Sequence, residues 1–398
     1  MKKLLVLGGD HFTIPVVEAA HNQGYYVITC DYLPGNVAHK YSDEYINYST
    51  TDKEGILGWA RKNPIDGIVT FTDSGVVTTA FVQYHLDLPQ IGPLASVEIL
   101  QNKARFRQFL ADHGFNVPKA KGYSTCEAVM KDVDYFKWPI IVKPVDSAGS
   151  KGVTKVEKTE TLQAAVDSAL LYSNSKEFIV EEFVEKRGCS SDSDCFSIDG
   201  KFSFVSFSAQ RFDEKAAGIY TPSAYSWPST MGKQVEAELA SELQRLISLL
   251  GMRTTVYNIE TRVGVNGNPY IMEVTPRGGG NRLAEMIRYA TGIDMITAAV
   301  RAAVGDSVKD IEQKPFDGYW AEIIVHADDT GKLDDIMISK SMEPYIIEKD
   351  FWYKKGDLVK AFVSARDAIG TLVMRFNTAE ELESTISQQR NWLNVVVK

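Results

Sequence analysis

The stretch IMEVTPRGGGN, Ile271 to Asn281, ends an apolar run with a glutamate and follows it with an arginine and three glycines. A strand that only packs does not finish this way. Just upstream, TVYNIETRVGVNGNPYIMEVTP carries Asn266-Gly267, the strongest short-range hairpin signal. With those two as turn residues, Glu260 falls opposite Glu273 and Asn258 opposite Thr275 on one face. The other face carries Tyr257, Ile259, Val263, Val265, Tyr270, Met272 and Val274, an apolar side suited to a core. Gly264 and Pro269 also permit a longer turn, which would shift the register. Like charges directly opposite each other destabilise a sheet. A cation between them removes the conflict, and hard carboxylate oxygens suit Mg2+, which usually also takes substrate phosphates. The plain alternative is two glutamates on a solvated face.

A second set of candidates lies earlier. Lys143 ends the apolar strand WPIIVKP, where a lysine is costly unless it meets an anion. As a compact point charge it suits phosphate. The loop Asp146–Val153 follows, and Gly149 and Gly152 let its backbone N–H groups approach phosphate oxygens closely. Glu181 and Glu182 close the strand FIVEEFV, whose backbone beside a glutamate can hydrogen-bond an adenine edge. Each of these alone is equally well a surface lysine, a plain loop or an edge strand.

The elements that must position these residues follow from periodicity. Over residues 1–95, KLLVLGG, YYVITCD and GIVTFTDSG read as strands alternating with amphipathic helices, which predicts a parallel sheet with right-handed crossovers. Ligands of such sheets bind beyond the carboxyl ends of the strands, here Gly8-Gly9-Asp10-His11, Asp31 and Thr72–Gly75. Gly8-Gly9-Asp10 is not GxGxxG, so a dinucleotide site is disfavoured. Ser96–His113 reads as one helix containing NKARFRQFLADHG, and another spans about 233–250 before Gly251. Residues 305–398 form a last α+β unit with the strand YWAEIIVHA and a capping-box helix opened by Thr378 and Glu381. The predicted fold is therefore a multidomain α/β and α+β chain. Its units are 1–95, 96–304 (with a lid at about 120–186 and the hairpin at 254–277) and 305–398.

Composition narrows the partners. The formal charge of −9 over 398 residues argues against nucleic acid and anionic membrane. The Leu4–Leu7 run is too short for a signal peptide, and no stretch approaches a membrane span. Cys30, Cys126, Cys189 and Cys195 are scattered without a CxxC pair, so neither zinc nor a disulfide framework is expected. The cytoplasm is the expected compartment.

In this order the motifs resemble the ATP-grasp superfamily over roughly residues 1–300, in its biotin carboxylase-like and amino-acid-ligase-like branch with a preceding parallel-sheet domain. The resemblance implies ATP and Mg2+ as cofactors, with Mn2+ as the substitute ion. NKARFRQFLADHGFNVP is similar to the family's lysine helix, which makes Lys103 a nucleotide-phosphate ligand. IIVKPVDSAGSKGV is similar to its second lysine strand and flexible loop, implicating Lys143, Ser150 and Gly152. VEEFV is similar to the hinge, where Glu181, Glu182 and the Val184 backbone would hold adenine. NIE…IMEVTPR is similar to the metal hairpin: Glu260, Glu273 and Thr275 would hold Mg2+, and Arg277, with Lys143, would stabilise the transferred phosphoryl group. Thr275 departs from the asparagine usual in the family, and the ribose-binding glutamate is missing from EKRGCSSDSD, where Asp192 or Ser190 is the substitute. Gly278–Gly280 would admit an acyl phosphate.

The implied activity is an ADP-forming carboxylate–amine ligase working through an acyl phosphate. The alternatives are carboxylation or carbamoyl transfer through carboxyphosphate, and ATP binding without turnover. The expected partners are a small carboxylate and an amine, not nucleic acid or a membrane, and a homodimer is allowed. The acceptor is expected to carry its own carboxylate, held by Arg211 and Arg282, with His11 and Asp73 binding its remaining polar atoms. Pairing of Arg211 with Asp213 or Glu214, and of Arg282 with Glu285, is the competing reading.

Overall fold

The apolar runs at Lys3–Leu7, Tyr26–Cys30 and Gly67–Thr70 pair in parallel, with the short strand Glu44–Ile46 at one edge, in a computed structural model of residues 1–398. Almost all of the residues in the first, second and fourth strands are buried, as expected where helices cover both faces of a parallel sheet. One of those helices comes from far along the chain. Met295–Ala303 packs with Ile14–Asn22, and Leu4, Val6, Val17, Ile296 and Val300 share one core with Phe196 and Val256. At Gly67 a Cβ would lie 2.1 Å from the Ala303 carbonyl oxygen, so only glycine allows that approach.

Two antiparallel sheets enclose the remaining predicted motifs. The first, in the order Ala120–Tyr123, Phe178–Glu182, Ile140–Pro144 and Thr154–Val156, is backed by the helix Leu162–Tyr172 and carries Lys143 and Glu181. The second orders Lys201–Phe204, Ser191–Ile198, Thr255–Val263 and Pro269–Thr275, and carries the acidic hairpin. The helix Lys233–Leu249 covers its apolar face through Leu239, Leu243 and Leu246.

The single helix expected over Ser96–His113 is two helices, Leu94–Gln101 and Lys103–Asp112. Asn102 leaves the helical region (φ −112°, ψ 108°), and its side-chain oxygen accepts from the Ala104 and Arg105 N–H groups. Its capping preference overrides the continuous apolar periodicity, and places Lys103 in the first turn.

A five-stranded sheet runs Ala209–Phe212, Pro222–Trp227, Tyr319–Val325, Gly370–Phe376, Ile346–Phe351. It joins residues from either side of the expected boundary at 304/305 in one ladder. A three-stranded sheet and the capped helix Ala379–Ser387 complete that end. The architecture is mixed α/β. No helix is long and apolar enough to cross a membrane.

Candidate active site

The hairpin brings Glu260 opposite Glu273 and Asn258 opposite Thr275, as the sequence suggests, but by a different route. The loop is longer than two residues, and a bulge between Glu260 and Thr261 compensates, so that Thr261 pairs with Ile271. Beyond the bulge the faces exchange. Ile271 enters the core at 4% exposure, Tyr270 and Met272 are only half-buried, and Val265 is exposed outside the ladder.

The third strand adds what the hairpin lacks. Asp192 lies opposite Glu260 and Asp194 opposite Asn258, giving two polar rungs across three strands: Asp192–Glu260–Glu273 and Asp194–Asn258–Thr275. Asn258 Nδ2 donates to Asp192 Oδ1 at 2.7 Å and Asp194 Oδ1 at 3.2 Å. Burial and the neighbouring Glu260 push the Asp192 carboxyl up to about 7, and burial raises Asp194 to about 6. Burial also raises Glu260, against the pull of Arg262. Lys103 Nζ stands 3.4 Å from Glu273 Oε1 and Arg262 Nη2 4.0 Å from Glu260 Oε1, so the nearest cations only flank the rungs. Clustered carboxylates, half-buried except for the fully buried Asp194, beside a threonine form a hard-oxygen donor set that fits Mg2+.

Asp194 shapes the loop after the hairpin: both its oxygens accept from the Gly279 N–H, at 2.9 and 3.0 Å. A Cβ at Gly279 would lie 2.7 Å from Asp194 Oδ1, and one at Gly278 2.1 Å from the Phe71 ring. Gly280 faces open space. Two of the three glycines thus answer to packing inside the protein, and Gly280 alone leaves room for a ligand. Asn281 and Arg282 follow with φ of 51° and 58°, a left-handed pair that non-glycine residues adopt only under constraint.

The lysine strand is tied to the hinge. Lys143 Nζ lies 2.5 Å from Glu181 Oε1, and Arg107 Nε donates to Glu181 Oε2 at 2.8 Å. Arg107 Nη1 reaches the carbonyl of the bulge residue Met272 at 2.8 Å, fastening the lid sheet to the hairpin. Burial alone would raise the Glu181 carboxyl, but Arg107 and Lys143 hold it down at about 2. Both Glu181 oxygens are therefore engaged within the protein. Glu182 accepts from the Lys137 N–H at 2.8 Å, and the Val184 carbonyl from Arg262 at 3.1 Å. Ser150 (φ 59°) lies between Gly149 and Gly152 (both 69°), and its Oγ donates to the Tyr220 carbonyl at 3.2 Å, so the glycine loop reaches across the cleft.

The residues expected to meet substrate separate. Asp73 joins the site: Arg277 Nη2 and Nε donate to its Oδ1 at 2.7 and 3.0 Å, linking the first sheet to the hairpin loop. Arg282 holds Glu285 at 2.9 Å and Glu348 at 2.7 Å. Arg211 bonds Ser226 Oγ at 2.6 Å and pairs with Glu383, while its neighbour Gln210 turns to Asp192, so Arg211 is not brought to the acidic face. His11 packs against Trp352, with ring centroids 5.1 Å apart and the planes tilted by 44°. Arg107, Asp194, Gln210 and Tyr225 were not singled out in the sequence. The alternation SDSD, which sets Asp192 and Asp194 on one face of a strand, and Arg107 one helical turn after Lys103 were the available signals.

Residues 136–285 match the ATP-grasp domain family. In sequence the chain is similar to the carbamoyl phosphate synthase large chain of Ralstonia nicotianae, 23% identical over 78% of this chain and 30% of that protein, so it spans about a third of that relative's length. In fold it is similar to the L-amino acid ligase of Bacillus licheniformis, with a TM-score of 0.84, 19% identity, and 100% and 99% of the two chains covered. It is also similar to the biotin carboxylase domain dimer of Hydrogenobacter thermophilus 2-oxoglutarate carboxylase, determined with MgADP and bicarbonate. There the TM-score is 0.77 and the identity 16%, with 100% and 91% of the chains covered. At these identities the structural likeness is one of fold.

Proposed function

From the premise that the chain contains an ATP-grasp domain, we propose that it is an ADP-forming carboxylate–amine ligase. The observation that carries this reading is the half-buried rung Asp192–Glu260–Glu273, flanked by Lys103 on one side, with Arg277 beyond the hairpin. A face so rich in carboxylates is suited to a divalent cation carrying polyphosphate. Glu260, Glu273 and Thr275 would hold Mg2+, whose charge offsets that of the phosphates. Lys103 and Lys143 bind phosphate oxygens, Ser150 and Gly152 close over them, and Glu182 and the Val184 backbone border the adenine. Glu181 acts here by fixing Lys143.

A substrate carboxylate oxygen attacks the γ-phosphorus, the bond to the bridging oxygen of ADP breaks, and an acyl phosphate forms. The amine nitrogen then attacks the acyl carbon, inorganic phosphate leaves, and the nitrogen gives its proton to solvent. Arg277 neutralises charge developing on the phosphoryl oxygens, and positioning supplies most of the rest. Arg282 already holds two glutamates. A substrate carboxylate taken there displaces Glu348, the more exposed partner (34% against 15% for Glu285). The likeness to carbamoyl phosphate synthase and to a bicarbonate-bound domain supports a second reading, in which bicarbonate is the phosphorylated acid.

ADP release from MgATP, screened over amino acids singly and in pairs with and without bicarbonate, separates these readings. Release with an acid and an amine in the absence of bicarbonate supports the ligase. Strict dependence on bicarbonate supports the second reading. Glu273→Gln is expected to lose most of either activity while remaining folded, and retention of full activity at limiting Mg2+ would exclude the hairpin as the metal seat.

A further inference from the structure

The wall facing the acidic rungs belongs to the five-stranded sheet. Its register sets Gln210 beside Tyr225 and Tyr225 beside Glu322, so the three side chains leave the sheet on one side. Two of them reach across. The Tyr225 hydroxyl donates to Asp192 Oδ2 at 3.2 Å, and Gln210 Nε2 approaches the same oxygen at 3.4 Å. Asn281 Nδ2 donates to the Tyr225 oxygen at 3.3 Å, so this wall also touches the strained loop behind Arg277.

The remaining polar atoms of the rung have nothing to bind. Gln210 Oε1 and both carboxyl oxygens of Glu322 are buried without a hydrogen-bond partner. Gln210 is 4% exposed and Glu322 0%. With Glu322 ionised every one of these orphans is an acceptor, and buried acceptors without donors are rare in folded proteins. Burial alone favours the protonated form of Glu322, so a cation seated beside it is what would hold it ionised. The nearby cation, Arg282, is already divided between Glu285 and Glu348. The wall therefore lacks a cationic donor. Asp192 and Asn281 are only half-buried and form its open side.

We propose that Glu322, Gln210 Oε1 and Asp192 form a subsite for a primary ammonium group of the substrate, which enters past Asp192 and Asn281. An ammonium brings a positive charge and three N–H donors to a place with only acceptors to offer. A nitrogen held in this way has no free lone pair, so it is not the attacking amine. It is the amino group of the acid that becomes phosphorylated, and the activated substrate is an amino acid rather than a plain carboxylic acid. This assignment rests on the ligase reading, but its binding part can be tested without turnover.

The first experiment compares thermal unfolding of the full chain in methylammonium and tetramethylammonium chloride at equal ionic strength. Tetramethylammonium carries charge but no N–H. Methylammonium is expected to stabilise the wild type more, and Glu322→Gln to abolish the difference; equal behaviour of the two salts overturns the subsite. The second compares ADP release with alanine and β-alanine against propionate. The wild type is expected to favour the amino acids by roughly tenfold or more in kcat/KM, and Glu322→Gln to bring that ratio towards one. Gln210→Glu, which adds charge to the same wall, is expected to raise the ratio and serves if Glu322→Gln does not fold. A ratio unmoved by either variant overturns the proposal. A methylammonium-specific shift with no ADP release from any acid would reject the ligase reading and leave the subsite standing. ADP release without the shift or the preference would do the reverse.

Discussion

At the scale of single residues, the site contrasts one satisfied charge cluster with one unsatisfied. Glu181 is 3% exposed with Lys143 and Arg107 on its two oxygens. Removing its charge leaves two buried cations facing each other. Glu181→Gln is expected to cost about 3–5 kcal/mol in urea unfolding. Its folded pKa, about 2, lies below the ordinary 4.5, so its contribution is complete above the ordinary value and lost as pH falls towards about 2. The rungs behave oppositely. Asp192 is raised to about 7 from 3.8, so it stays protonated in the folded chain where the unfolded chain has ionised, and it lowers stability as pH rises through that window. Under the proposed function, Mg2+ held by Glu260 and Glu273 would favour the ionised form of Asp192 beside them. The gain in Tm on adding MgCl2 is expected to be small at pH 5 and large at pH 8, and a pH-independent gain would contradict the assignment. None of this partnership was legible in the sequence. Glu181 and Arg107 are 74 residues apart, and a charged side chain carries no mark of which opposite charge it will meet. For the same reason Arg211, paired by its local sequence with Asp213 or Glu214, turns out to hold Glu383, whereas Arg282 does hold the Glu285 that its helical spacing offers and takes the distant Glu348 besides.

At the scale of elements, the acidic pairing was read from side-chain alternation counted about an Asn-Gly turn, and it holds because a bulge offsets the longer loop that the structure has instead. The rest of the ladder was not legible, because a bulge reverses parity and has no sequence signature. Ile271 is buried where Met272 was expected, and Arg107 caps the freed carbonyl of Met272. The break at Asn102 was hidden for a related reason: the apolar period continues through it while one side chain recaps the backbone. The glycine loop follows its composition. Asp146 anchors its start by accepting from Ser173 Oγ and the Ser175 N–H, at 2.9 and 2.8 Å, but the tip rests on one hydrogen bond to Tyr220. Hydrogen exchange at residues 148–152 is expected to be fast in the free protein and slowed severalfold by MgADP, with little change at Asp146. Equal protection in both states would remove the loop from the phosphate site.

At the scale of the whole molecule, the strand Pro222–Trp227 pairs with Tyr319–Val325, so the central and final units are not independent. A chain ending at residue 304 would leave that strand with an open, apolar edge. It is expected to aggregate or to unfold well below the intact protein in a thermal scan, and a monomeric product with native stability would contradict this. The first sheet is held just as firmly, through the core it shares with Met295–Ala303 and the 2.6 Å pair Lys2–Asp306. Into that interface reaches Arg277, gripping Asp73 with two of its nitrogens. Under the proposed function one guanidinium would serve two clients, a resident carboxylate and an arriving phosphoryl group. Whatever share the newcomer took, the resident would lose, so the seating of the first unit would become a record of how far the reaction has gone. Asp73→Asn releases the arginine in advance. It is expected to leave MgATP affinity undiminished while raising hydrogen exchange at residues 71–76 to the level that the wild type reaches only during turnover.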